Sequence, residues 1–313
     1  MPKLSEEQRK KFTDKQKKYW SERMALDKSF NRYQQKQLQK NALRYDKIAK
    51  SSKKTLKAFY ADYGSESVVT YTDAIKVIRN KKTIVAEITK ELNAAKTTGD
   101  TQYINYLKQL QSQRKITRLD ALNFEIQKDV HALALENQQT TTEILTGTYE
   151  RNYSAQTAIL NGLTDMELKG TLYKTRIQKV VFAEFDGKNF SARIWTDTDK
   201  LANSLRSTLS DSFVRQKHMS YAVEKLEKRF DVSRSSIERL VRTESARVTE
   251  QATLESYREH EIKKYNYDAT LDERTSQICE DLNGEEFLIS EAVEGVNYPP
   301  MHPNCRSTTI PVI

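Results

Sequence analysis

Proline, glycine, cysteine and histidine are all scarce in this chain, and each shortage excludes something. The 313 residues include 5 Pro, none of which falls between Pro2 and Pro299. Proline lacks an N–H and fixes φ, so nothing of that kind interrupts a helix over the whole interval. With only 8 Gly, tight turns are few and long helices are favoured. Two cysteines exclude a disulfide scaffold, and a reducing cytoplasm is the expected place of synthesis. No run reaches the roughly eighteen apolar residues of a membrane span. The opening MPKLSEEQRKKF has no apolar stretch, so it is not read as a secretory signal. At 37% hydrophobic and 30% charged residues the chain is polar, yet long enough for one or two domains with real cores. The expectation is a soluble intracellular product.

Acidic residues are scarce at the start. Residues 1–60 contain 18 Lys and Arg against 6 Asp and Glu, a net of +12 in a chain whose total is +9. Such asymmetry points to a polyanion partner or a basic docking arm, and its plain alternative is a solvated lysine-rich helix. The candidates for nonspecific contact with double-stranded DNA are Lys10, Lys11, Lys15, Lys17, Lys18, Lys53 and Lys54. Phe12, Tyr19, Trp20, Phe30, Tyr33, Tyr45, Phe59 and Tyr60 are interleaved with these bases. Aromatics so placed can stack on single-stranded bases, but at helical spacing they are more often core or partner-helix contacts.

Ser5, with Glu6 and Glu7 behind it, reads as a helix start, and Gly64-Ser65 as the end of the arm. The spacing of Ile75, Ile78, Val85 and Ile88 predicts a helix over 71–92. Thr97-Thr98-Gly99-Asp100 is a turn, with Asp100 or Thr101 capping the next helix. Residues 101–145 read as one long helix, or two in line, packed as a hairpin on the preceding one. Gly147, Gly162 and Gly170 then divide shorter pieces, and 185–189 is a turn into a helix capped at Asp197, Thr198 or Asp199. Asp231-Val232-Ser233 reads as a break between two helices, with Ser235 and Glu238 at capping-box spacing. A helix-turn-helix DNA reader is one alternative there, although the turn has no glycine and acids alternate with arginines along the second helix.

The last forty-odd residues are chemically dense: four of the prolines, both cysteines and His302 lie there. Tyr265, Tyr267 and Ala269 alternate with polar residues as in a half-buried strand. Residues 307–312 are also β-prone, with Pro311 marking an edge, and Asn283-Gly284 is a hairpin-turn signal. Glu244 falls on the apolar stripe of its helix with Ile237, Leu240, Val241 and Val248, so it needs a partner. Arg306, Arg274 and His302 are the candidates. If Glu244, His302, Arg306 and Thr308 converged, they would supply a base, an acid and a phosphate clamp, as a nuclease-like enzyme requires. The alternative is that Glu244 is a structural clamp, and no enzymatic activity is expected. Cys279, His302 and Cys305 are candidate metal ligands, but a zinc site needs a fourth. Only Asp272, Glu280 or water is on offer, because Ser276 is a poor ligand. Free buried thiols beside a hydrogen-bonded histidine, without a cofactor, are therefore expected, with zinc or a Cys279–Cys305 bridge as alternatives.

The run DERTSQICEDLNGEEF followed by GVNYPPMHPNCRSTT, together with Arg242-Thr243-Glu244 and the Tyr265–Thr270 segment, resembles the C-terminal domain of tailed-phage minor head proteins. This is the phage head morphogenesis, or Mu F-like, family, and the resemblance is clear over roughly residues 185–313. Further cysteines of the family pattern are replaced here by Ser276 and Ser307. The resemblance implies a minor structural head protein bound to the portal inside the capsid. Other head proteins (scaffold or major capsid protein) would be partners, with roles in head assembly and in genome packaging and ejection. Its location would be the virion interior, and the host cytoplasm during assembly. The fold expected is α+β and mostly α. Residues 1–63 form a basic helical arm and 64–184 an elongated helical hairpin or bundle. Residues 185–313 form a small domain whose short β-sheet packs on a helix.

Overall fold

The computed structural model describes residues 12–313. The expected start at Ser5 and the candidates Lys10 and Lys11 lie outside these residues. The fold is α+β and mostly α. Helices α1 (Asp14–Tyr63), α2 (Tyr71–Ala74), α3 (Lys81–Ala95), α4 (Thr101–Ser112), α5 (Arg118–Asn161), α6 (Lys174–Val181), α7 (Phe190–Val214) and α8 (Met219–Glu259) precede the first strand. Strand β1 (Lys264–Asp268), helix α9 (Gln277–Asp281) and strands β2 (Glu286–Leu288) and β3 (Thr308–Pro311) complete the chain. No helix among the described residues is long and apolar enough to cross a membrane.

Packing divides the chain into two units, one of residues 1–38, 140–190 and 238–313, the other of 39–139 and 191–237. Neither is a contiguous segment, because α1, α5 and α8 each contribute residues to both.

In the first unit the centre is a three-stranded sheet of order β2-β1-β3, antiparallel throughout. The alternation predicted around Tyr265 is that of the central strand, with Tyr265 and Tyr267 fully buried. Tyr265 pairs with Pro311 and Asp268 with Thr308, which puts β3 at an edge as its proline requires. Asn283-Gly284 does not turn a two-stranded hairpin. It joins α9 to β2, with Gly284 at φ +86° and the Asn283 side chain accepting from the Ala269 N–H. The core against the sheet comes from three stretches: Tyr257 on α8, Leu160 on α5, and Phe12, Tyr19 and Trp20 at the start of α1. A reciprocal cap starts α1, since the Thr13 N–H donates to Gln16 Oε1 and the Gln16 N–H to Thr13 Oγ1. The first turns of α1 are thus core of their own chain. Arg23, 1% exposed, donates to Thr253 Oγ1 at 2.8 Å and to Glu250 Oε1 at 3.0 Å.

The second unit contains the helical hairpin. α3 and α4 pack through Ile88, Leu92, Tyr103, Leu107 and Leu110, with Ile116 and Phe124 beneath them. Asp100 caps α4 by accepting from the Tyr103 N–H, as expected. The predicted 71–92 helix is broken here, between α2 and α3, and of the two readings of 101–145 the structure has two helices, α4 and α5. Both breaks have one cause, a short backbone pairing in which the Ile78 N–H donates to the Ile116 carbonyl and the Arg118 N–H to that of Lys76. Periodicity cannot register such a non-local pairing. Gly64 follows α1, and the site admits no side chain, since a Cβ there would lie 2.5 Å from the Tyr60 carbonyl oxygen and 2.8 Å from that of Val68.

Three further breaks expected from the sequence are absent. Gly147 lies inside α5, which runs on to Asn161, and a Cβ there would meet Tyr33 Oη at 3.3 Å. The helix expected to be capped at 197–199 begins at Phe190, just after a turn in which Asp186 and Gly187 take positive φ and Phe185 bridges Lys188. Asp231-Val232-Ser233 is continuous helix within α8, and Ser235 Oγ donates to the Asp231 carbonyl instead of capping a new helix. Without a turn, the helix-turn-helix reading fails.

Candidate functional site

The chemically dense end gathers around Cys279. Ser276 heads the short helix α9, which carries Cys279 into the interior beneath β1, while the 301–307 loop returns His302 and Cys305 to it. Cys279 Sγ lies 3.4 Å from His302 Nε2 and 3.8 Å from Cys305 Sγ. Ser276 Oγ is 2.8 Å from the same Nε2, and Tyr267 Oη donates to Cys279 Sγ at 3.4 Å. His302 Nδ1 lies 2.9 Å from the Pro303 carbonyl oxygen. A carbonyl can only accept, so Nδ1 carries the proton and Nε2 turns a lone pair toward the sulfurs. Both cysteines are buried and free. Burial pushes the Cys279 thiol up, but hydrogen bonding with its neighbours, Ser276, Ser307 and Tyr267 foremost, outweighs it and brings the value to about 7. Cys305 is raised, chiefly by burial.

The other candidates of the dense end are held by separate partners. Arg306 makes a bidentate clamp on Asp272, with both contacts at 2.6 Å. Hydrogen bonding to that guanidinium holds the Asp272 carboxyl well below its ordinary range. Glu244 is 1% exposed, and its partner is none of the three expected residues. Arg247, one turn on, donates from Nε to Glu244 Oε2 at 2.8 Å and from its other arm to the Val180 and Val181 carbonyls at the C-terminal end of α6. A cation at a helix C-terminus satisfies orphan carbonyls and complements the dipole. Thr308 Oγ1 donates to Glu250 Oε1 at 2.9 Å. Glu244, His302, Arg306 and Thr308 therefore each sit in a different polar pair.

The basic segment resolves into two kinds of residue. Phe12, Tyr19, Trp20, Tyr45, Phe59 and Tyr60 are buried, so stacking on nucleic-acid bases is not open to them. Lys15, Lys17 and Lys18 are exposed, Lys17 beside Asp14. Lys53, a sequence candidate, is tied to Glu227 at 2.6 Å, whereas Lys54 is exposed. Within the second unit Lys40, Lys47, Lys50, Lys54 and Lys57 are all exposed. Their spacings of 7, 3, 4 and 3 put them on one face of α1. That face extends over about 25 Å of helix. None of the five forms an ion pair among the described residues. Of this row only Lys54 is named by the sequence, because counting charge does not separate bases on the wet face from bases with acid partners.

Two buried polar pairs escape detection in the sequence. One is Arg23 with Glu250, joining residues 227 positions apart. The other is His131, whose Nδ1 donates to Asp100 Oδ2 at 3.1 Å while its ring stacks on Tyr103 with centroids 4.1 Å apart. Burial, with the nearby Asp100 charge, raises Asp199 to about 6. Apolar periodicity carries no signal for pairs of this kind.

No curated protein and no solved structure matches the chain. Residues 203–310 match the family model described as phage Mu protein F like protein. The match spans the Cys279, Asn283-Gly284 and His302–Arg306 motifs that carry the resemblance, and it shows a phage Mu F-like region over about a third of the chain.

Proposed function

We propose that this protein is a minor structural component of a tailed-phage head, bound to the portal inside the capsid and acting in head assembly and genome packaging or ejection. The Mu F-like region at 203–310 is the observation that carries the reading. Other head proteins are its partners, and its role is structural rather than catalytic. That part of the reading is supported by the separate pairing of Glu244, His302 and Arg306, each of which is occupied in holding the domain together.

Nonspecific contact with double-stranded DNA is the second part of the reading. Its support is the lysine row from Lys40 to Lys57, whose charges have no acidic partner among the described residues and would displace counterions from a phosphate backbone. Lys15, Lys17 and Lys18 offer a further exposed group.

The test is made on heads purified from the phage that encodes the chain, treated with a short protein crosslinker and, separately, with a protein–DNA crosslinker. The expected result is a chain present in few copies per head, joined to portal protein and to packaged DNA. Heads that lack the chain, or that crosslink it only from the outer surface of the shell, would overturn the reading.

A further inference from the structure

We propose that Cys279, His302 and Cys305 form a zinc-type metal site whose fourth position faces Ser276. Tetrahedral zinc with Zn–S near 2.3 Å and Zn–N near 2.0–2.1 Å has ligand edges of about 3.8 Å between sulfurs and about 3.6 Å between sulfur and nitrogen. The Cys279–Cys305 edge is 3.8 Å and the Cys279–His302 edge 3.4 Å. All three ligand atoms lie within 4.8 Å of one another, so the third edge closes with a movement of at most about 1.2 Å.

The histidine is prepared for this role. Its Nδ1–H is held by the Pro303 carbonyl, which fixes the tautomer and turns the Nε2 lone pair toward Ser276 and Cys279, an arrangement that orients histidine ligands. Asp272 is occupied by Arg306 and Glu280 is exposed on α9, so neither is a natural fourth ligand. Ser276 Oγ, 2.8 Å from Nε2, marks the remaining corner, to be filled by that hydroxyl or by water. His302 is only half-buried, which gives an ion a way in. Binding converts two thiols to metal-bound thiolates and releases two protons, with no change of oxidation state.

The geometry also makes a gain-of-ligand prediction. Ser276→Cys would place a third sulfur three residues before Cys279, completing a C-x-x-C half opposite His302-Pro303-Asn304-Cys305. The experiment titrates the full chain, kept reduced, with Zn2+ against a chelating indicator, and with Co2+ for its absorption spectrum. The expected result is one zinc per chain, both thiols masked from a thiol reagent, and a sulfur-to-cobalt charge-transfer band typical of four-coordination. His302→Ala should weaken zinc binding by at least about 100-fold, since even outer-shell losses cost about 10–100-fold. Ser276→Cys should tighten it, and because this change removes no core contact it remains readable if a cysteine variant fails to fold. Wild-type chain that retains no stoichiometric zinc, or equal affinities for wild type, His302→Ala and Ser276→Cys, would overturn the proposal.

Discussion

Charges at the C-terminal end and the five exposed lysines of α1 are managed in opposite ways. From residue 238 onward the polar groups close on one another: Glu244 on Arg247, Glu250 on Arg23 and Thr308, Asp272 on Arg306. Along the row from Lys40 to Lys57 the charges find no acid among the described residues. An internally paired charge is consumed by the fold, and removing it should alter stability before anything else. An unpaired row costs the fold little, so its loss should leave stability nearly unchanged and be felt by a polyanion instead.

The sharpest way to break this contrast is at Arg23. Arg23→Ala leaves the Glu250 carboxylate in the core without its cation, and breaking a buried pair typically costs about 3–5 kcal/mol. A urea midpoint lowered by that amount is expected, and a change as small as that of a surface lysine would show that the pair is not structural. A smaller effect is expected at Glu294. Its carboxyl is pushed by burial from 4.5 up to about 7, against the nearby Arg247 and a hydrogen bond from Gln251. A raised carboxyl contributes stability fully below its ordinary range and loses it as pH rises through about 7. Glu294→Gln should therefore be more stable than wild type at pH 8, by on the order of 1 kcal/mol, with the difference fading toward pH 4. Thermal melts across that range decide it, and a constant offset would contradict the assignment.

The smallest effect belongs to the exposed clamp. Asp272 is held low by Arg306, so its contribution is present above the ordinary carboxyl range and is lost as pH falls below it. Asp272→Asn should lower stability at neutral pH by less than the Glu294 change alters it, and should match wild type in strong acid. A deficit that persists in strong acid would mean the loop is held by something else.

The parts of the fold legible in sequence are those with a local signal. Alternation finds the strand around Tyr265, β-propensity and Pro311 find the edge strand, and the Asp100 turn announces a cap that the backbone uses. Places governed by distant partners are missed. The helix break at 75–80 is imposed by backbone pairing with residues 116–118, and α8 passes as continuous helix through Asp231-Val232-Ser233, where Ser233 Oγ lies 3.3 Å from Tyr45 Oη and Arg234 pairs with Asp46. In the candidate site the residue types are legible as a group, since Cys279, His302 and Cys305 do meet. The partner of Glu244 is not, because Arg247 lies one turn along the same helix while the apolar stripe directs attention to the distant loop. The basic segment is the least legible region. Its composition suggests an arm, yet Phe12, Tyr19 and Trp20 commit the start of α1 to the core.

Duplex DNA binding over a salt series puts this division between paired and unpaired charge to its most direct test. Wild type would be compared with a variant carrying Lys40, Lys47, Lys50, Lys54 and Lys57 all changed to Gln, with urea midpoints recorded for both. Unchanged stability is expected, together with sequence-independent binding by wild type and a salt slope reduced by about 0.9 for each phosphate no longer neutralised in the variant. Equal affinity and equal slope for the two proteins would contradict this division, and would mean that the unpaired lysine row is only a solvated surface.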